Sequence, residues 1–303
     1  NPGTAVLTGN TPATGTGIWT VLTGTSTVTT PASASTGVTG LSIGLNVYQW
    51  AISNGVCPVS TSTVSVFADQ IPTIANAGIT QTVCTAIATL AGNTPAVGTG
   101  NWTVLSGGAT VTNPSLPNSG VTGLGFGANV FQWTISNGTC PSSTATVTIF
   151  RDIPPTVSNA GLSQTVCVNP GTAVLTGNTP ATGTGIWTVL SGTSTVTTPA
   201  SASTGVSGLS AGLNVYQWAI SNGVCPVSTS TVGVLANLLP TPSVAGPSQT
   251  ICVTTASTTL AGNTPAIGVG TWSILSGGGT ITSPNSPSST ITGLNTPGVT
   301  VLQ

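Results

Sequence analysis

The most reactive groups in this chain are six cysteines, at positions 57, 84, 140, 167, 225 and 252. Cys84, Cys167 and Cys252 follow "QTV" or "QTI", whereas Cys57, Cys140 and Cys225 close an "NGVC" or "NGTC" tetrad. Thiols in such a regular pattern could hold zinc or form disulfides. Zinc fits poorly, because the chain has no histidine and no CxxC pair. Disulfides are the expected state, with all six cysteines as candidates, and they imply an oxidising compartment. Acid–base chemistry has little to work with. Arg151, Asp69 and Asp152 are the only charged side chains among 303 residues, where an ordinary soluble protein would carry about 25 %. A nucleophilic serine needs a base beside it, and the two aspartates do not form a paired site. No enzyme, cofactor or metal site is therefore expected. The glycine-rich "SGGGT" at 276–280 has no lysine and is read as a turn.

The same scarcity of charge narrows the partners. Nucleic acid binding needs clustered Lys or Arg to release counterions, and calcium needs carboxylates. No apolar run approaches the roughly 18–20 residues of a spanning helix. The sequons at Asn101 and Asn137 would accept glycans only in a host with that machinery, and are otherwise accidental.

What positions the cysteines is a repeat. "GNTPA" occurs at 9–13, 92–96, 177–181 and 262–266, so successive copies lie 83, 85 and 85 residues apart. Residues 1–66 and 169–234 differ only at Thr23/Ser191, Thr39/Ser207, Ile43/Ala211 and Ser65/Gly233. Asn1 is equivalent to Asn169 and Gln303 to Gln217, so the chain is read as a window on a longer array. The expected domains are 1–69, 70–152, 153–237 and 238–303, the outer two incomplete.

Within the second copy, alternation and Gly/Pro/Asn breaks predict seven strands, at 81–84, 88–92, 101–107, 109–113, 119–124, 129–136 and 144–150. That count fits a two-sheet sandwich. Phe131, Trp133 and Ile135 share one face and should point inward, met by Trp102, Val104, Val147 and Ile149. Trp19, Trp50, Trp102, Trp133, Trp187, Trp218 and Trp272 recur at such positions and are assigned to the cores. Asn137–Gly138 reads as a tight hairpin turn with both residues at positive φ. Proline-bearing linkers at 67–78, 150–161 and 235–246 contain all three charges. These are expected to be the most exposed positions, with a salt bridge between neighbouring domains as the alternative.

The succession "NAGITQTVC…ATLAGNTPAVGTGNWTVLSGGATVTNPSLPNSGVTGLGFGANVFQWTISNGTCPSSTATVTI" resembles the PKD-like, immunoglobulin-like repeats of very long Bacteroidetes surface proteins, including gliding-motility adhesins and other type IX-secreted chains. The resemblance covers the whole chain. It implies an all-β tandem array of immunoglobulin-like sandwiches, an extracellular or bacterial cell-surface location, and a stalk or adhesive role. The acidic "WDFGDG" signature is missing, because Trp50, Trp133 and Trp218 are followed by "AISNG" or "TISNG".

Two functions follow. The first is a structural filament or stalk whose uncharged beads self-associate along or between filaments; the second is an adhesin whose repeats bind polysaccharide or another surface. Tryptophans assigned to cores leave few aromatic platforms for sugars. Three disulfide connectivities stay open. One runs within domains, Cys84–Cys140 and Cys167–Cys225; one staples a joint, Cys84–Cys225; one follows the constant 27-residue spacing from 57 to 84, 140 to 167 and 225 to 252.

Overall fold

The computed structural model describes residues 3–169, 171–252 and 254–303. Asn1 and Pro2, on which the mid-repeat opening rests, lie outside them. Regular structure among the described residues is entirely β and falls into two compact units, 1–153 and 154–303.

In the first unit the first copy forms β1 (Gly3–Thr8), β2 (Thr16–Thr23), β3 (Thr27–Val28), β4 (Ser35–Leu41), β5 (Gly44–Ser53) and β6 (Ser60–Ala68). The second copy forms β7 (Gln81–Val83), β8 (Ala88–Thr89), β9 (Thr99–Ser106), β10 (Thr110–Val111), β11 (Gly120–Thr122), β12 (Gly127–Ser136) and β13 (Ser143–Arg151). Its sheets run β10-β11-β8 and β7-β13-β12-β9, with β7 parallel to β13 and every other pairing antiparallel. This is a seven-strand immunoglobulin-like sandwich. The first copy has sheets β1-β4-β3 and β2-β5-β6.

In the second unit the third copy forms β14 (Gln164–Cys167), β15 (Thr172–Thr176), β16 (Thr184–Ser191), β17 (Thr195–Val196), β18 (Ser203–Ser207), β19 (Gly212–Ser221) and β20 (Ser228–Asn237). Its sheets, β15-β18-β17 and β14-β20-β19-β16, repeat the arrangement of the second copy. The fourth copy contributes β21 (Ser257–Thr259), β22 (Ile274–Ser276), β23 (Thr280–Ile281), β24 (Thr290–Thr292) and β25 (Val301–Leu302).

Alternation explains the cores. Along β12 the side chains of Asn129, Phe131, Trp133 and Ile135 are buried, while Val130, Gln132 and Thr134 are half-buried. Val147, Ile149 and Trp102 join the buried set, and equivalent clusters form in the first and third copies. Val104 departs from the expectation, being 37 % exposed. It stands next to a one-residue bulge: Phe131 pairs with Val104 and Val130 with Ser106, which leaves Leu105 as the extra residue.

Six tryptophans are buried, and they meet as cross-strand pairs with ring centroids 5.1 Å (Trp19–Trp50), 4.9 Å (Trp102–Trp133) and 5.1 Å (Trp187–Trp218) apart. The second indole of each pair lies over a glycine of the neighbouring strand. A Cβ on Gly185 would stand 2.1 Å from Trp218 Cζ2, and Gly17 and Gly100 meet Trp50 and Trp133 at the same distance. Trp272 is only half-buried. It borders a groove of about 700 Å³ lined also by Leu260, Ile291 and Leu294, the side of the sandwich that β19 and β20 cover in the third copy.

Two polar devices are built into these cores. Asn46, Asn129 and Asn214 are fully buried; Asn129 Oδ1 accepts from Gly125 N at 3.0 Å and its Nδ2 donates to Gly125 O at 2.8 Å, pinning the loop into β12. Tyr48 shares a hydrogen bond with Ser26, and Tyr216 with Ser194. In the second copy the equivalent residues are Phe131 and Ala109, so the two hydroxyls are absent together.

Candidate functional site

The polar chemistry of the first unit gathers where its two copies meet. Asp69 follows directly on β6, and its Oδ2 accepts hydrogen bonds from Thr139 N at 2.7 Å and Thr139 Oγ1 at 3.0 Å. Beside it, Asn137 Nδ2 donates to Gln70 O at 2.7 Å, and Cys140 Sγ lies 3.4 Å from Asp69 O. The exit of the first copy therefore grips the turn between β12 and β13 of the second. That turn is closed by Cys140 N donating to Asn137 O at 3.1 Å. Gly138 sits at φ 50°, and a Cβ there would fall 2.0 Å from the Asp69 carboxylate. Glycine thus meets both the backbone demand and the close approach.

The hairpin expected at Asn137–Gly138 needs correction, because Gly138 has positive φ and Asn137 does not. Between β12 and β13 the connection spans residues 137–142, and its shape follows from the contact with Asp69 and Gln70 instead of from a two-residue turn. The reading of the linker charges as simply exposed also fails. Asp69, Arg151 and Asp152 are all half-buried. Asp69 takes neutral N–H and O–H donors in place of a salt bridge. Arg151 Nη1 donates to Leu124 O at 2.7 Å, and its guanidinium lies 4.3 Å from the Phe126 ring centroid.

A further fastening was not read from the sequence. Thr73 Oγ1 accepts from Ala96 N and Val97 N, each at 2.9 Å, while Thr73 N donates to Val97 O at 3.1 Å. Thr156 takes Ala181 N and Thr182 N in the same way, and Thr241 takes Ala266 N and Ile267 N. The available signal was the Pro-Thr pair that recurs in all three linkers, at 72–73, 155–156 and 240–241.

Cys84 and Cys225 are disulfide-bonded, whereas Cys57, Cys140 and Cys167 stand as thiols. Cys252 Sγ accepts a hydrogen bond from Thr254 Oγ1 at 3.2 Å. Pairing within a domain is thereby corrected, for a geometric reason. Val83 lies beside Arg151, the last residue of β13, whereas Cys140 precedes the first residue of that strand, Ser143. Nine strand residues separate the two levels, roughly 30 Å at the usual rise, against the ~7 Å limit between Cα atoms. Cys167 and Cys225 stand at opposite ends of β20 in the same manner. The 27-residue spacing is not realised either, since Cys57 remains a thiol and does not join Cys84.

Tyr216 is a titratable group perturbed by its surroundings. Burial pushes its phenol above the ordinary value of 10.0, and the hydrogen bond with Ser194 partly offsets this. Among the described residues no group of three His, Cys, Asp or Glu side chains could hold a metal ion, and no helix is long and apolar enough to cross a membrane.

No family model and no curated protein matches the sequence. Solved structures that resemble it are tandem immunoglobulin domains. Titin domains I67–I69, in an E-to-A variant, are 14 % identical at a TM-score of 0.45, over 78 % of this chain and 93 % of that one. Drosophila OTK extracellular domains 3–5 are 12 % identical at 0.39, over 78 % and 92 %. Sidekick-1 immunoglobulin domains 1–4 are 13 % identical at 0.39, over 78 % and 71 %.

Proposed function

We propose that this chain is a stretch of an extracellular filament or stalk, built from immunoglobulin-like beads at 1–69, 70–152, 153–237 and 238–303, and that it carries out no catalysis. The observation behind this reading is the joint at Asp69. Beads on slack linkers sample many arrangements. A linker whose carboxylate, carbonyl and threonine are each hydrogen-bonded into the following bead gives up that freedom once, at folding. A stalk needs such joints, because three charged side chains supply no long-range repulsion to keep neighbours apart. The likeness to Bacteroidetes repeats adds the location, a bacterial cell surface, and disulfide-bonded Cys84 and Cys225 fit an oxidising exterior. The second and third beads each place one cysteine site at either end of the last strand, a placement suited to bonds that run from bead to bead.

The test is electron microscopy of the intact chain and of Asp69→Ala. The intact chain should give bead strings with a narrow spread of angles between the first two beads, and Asp69→Ala should broaden it. Compact particles, or an unchanged spread in the variant, would refute the reading. An adhesin would instead bind purified polysaccharide, for which the six buried tryptophans offer no stacking surface.

A further inference from the structure

The bulge at Leu105 is not an isolated irregularity. β2, β9, β16 and β22 each slip by one residue against their partners, and the extra residue is a leucine every time: Leu22, Leu105, Leu190 and Leu275. A bulge sacrifices regular pairing and re-aims a side chain. These four leucines stand 52 %, 54 %, 54 % and 60 % exposed. Near each of the first three, a facing pair between the last two long strands adds apolar surface: Leu45 opposite Phe67, Ala128 opposite Phe150, Leu213 opposite Leu235. Where alanine occupies this pair, exposed Phe126 stands two residues before it. Single exposed apolar residues are ordinary. The same cluster at the same register, held out by a bulge in successive copies, is a built surface.

We propose that this bulged-leucine face pairs laterally with the same face on a second copy of this chain. The proposal rests on the bead-string reading. Two observations select the occupant. The outer rows of this sheet hold Thr, Gln, Val, Ala and Ser beside the leucines, and the one ionisable side chain near any cluster is Arg151, which lies over the Phe126 ring in the second copy, so like faces meet with almost no charge to repel or desolvate. The second observation is area. One cluster of a few exposed apolar side chains falls well short of the roughly 800 Å² and 20–30 residues per partner of a stable interface. Several clusters on one string add as linked sites do. A partner with the same spacing of 83–85 residues matches them copy for copy, and this chain has that spacing.

Sedimentation of the intact chain from micromolar to millimolar concentration tests the proposal. Thiols are first alkylated without reduction, so that disulfide exchange does not imitate assembly. The intact chain should associate, and the fourfold variant Leu22→Thr, Leu105→Thr, Leu190→Thr, Leu275→Thr should shift association at least tenfold to higher concentration with an unchanged melting curve. If that variant unfolds, Phe67→Thr with Phe150→Thr and Leu235→Thr should give the same shift. A monomeric intact chain, binding of lipid vesicles in place of self-association, or equal assembly by a folded variant would each overturn it. Single extended strings in the microscope would then leave the stalk reading standing, whereas compact particles would remove both.

Discussion

Replacing Tyr216 by phenylalanine isolates one buried hydroxyl and tests how these cores tolerate polarity. Tyr216 is fully buried and Ser194 is 8 % exposed, so removing the phenol oxygen leaves the serine hydroxyl with neither its partner nor ready access to water. A buried polar group stripped of its partner costs about 1–3 kcal/mol, whereas removing both partners is close to neutral. The second copy already contains the double replacement, as Phe131 and Ala109. Tyr216→Phe and Ser194→Ala should therefore each destabilise the third copy by about 1–3 kcal/mol, and the double variant by much less than their sum. Hydrogen exchange followed by mass spectrometry reads this locally. β20 suits the measurement, since Gly233 and Leu235 distinguish it from the otherwise similar β6. Each single variant should exchange there roughly 5 to 150 times faster than the parent, and the double variant should recover most of the protection. Additive losses in the double variant, or no loss in Tyr216→Phe, would show that the pair is not a coupled unit.

Two further outcomes follow from the same cores. Gly185→Ala drives a methyl group to 2.1 Å from the Trp218 ring, which should cost about 3 kcal/mol or more, seen as faster exchange in β20 and red-shifted tryptophan emission; Gly208→Ala, at φ 70° with nothing within 4 Å, should cost only about 1 kcal/mol. Because burial raises the Tyr216 phenol above 10.0, the stability of the neutral form is intact below that pH and is lost as pH climbs from there through the raised value. Absorbance titration at alkaline pH should show a late ionisation step that Tyr216→Phe removes.

The strands were legible because two-residue alternation survives translation into a sheet: Phe131, Trp133 and Ile135 sit where their spacing puts them. Close approach was not legible. Nothing in "TGNW" announces that Gly100 lies against Trp133, since that contact depends on which strands neighbour each other. Alternation carries no sign of the bulge at Leu105, and Asn137 was misplaced because its turn is shaped by Asp69, 68 positions earlier in the chain. The Ser/Tyr pair could have been found by comparing copies, as Ala109 and Phe131 change in concert. The Pro-Thr fastening could have been found in the same way.

The parallel strand has one more consequence. In the third copy the chain enters the four-stranded sheet along β14 and leaves it along β20, side by side over four residue pairs from Gln164–Val234 to Cys167–Asn237. Tension applied through the two ends of such a bead pulls these neighbours past one another, so the bonds between them share the load and must fail together instead of peeling apart singly. A tether made this way resists stretching at the entrance of each bead, before its tryptophan core bears any force.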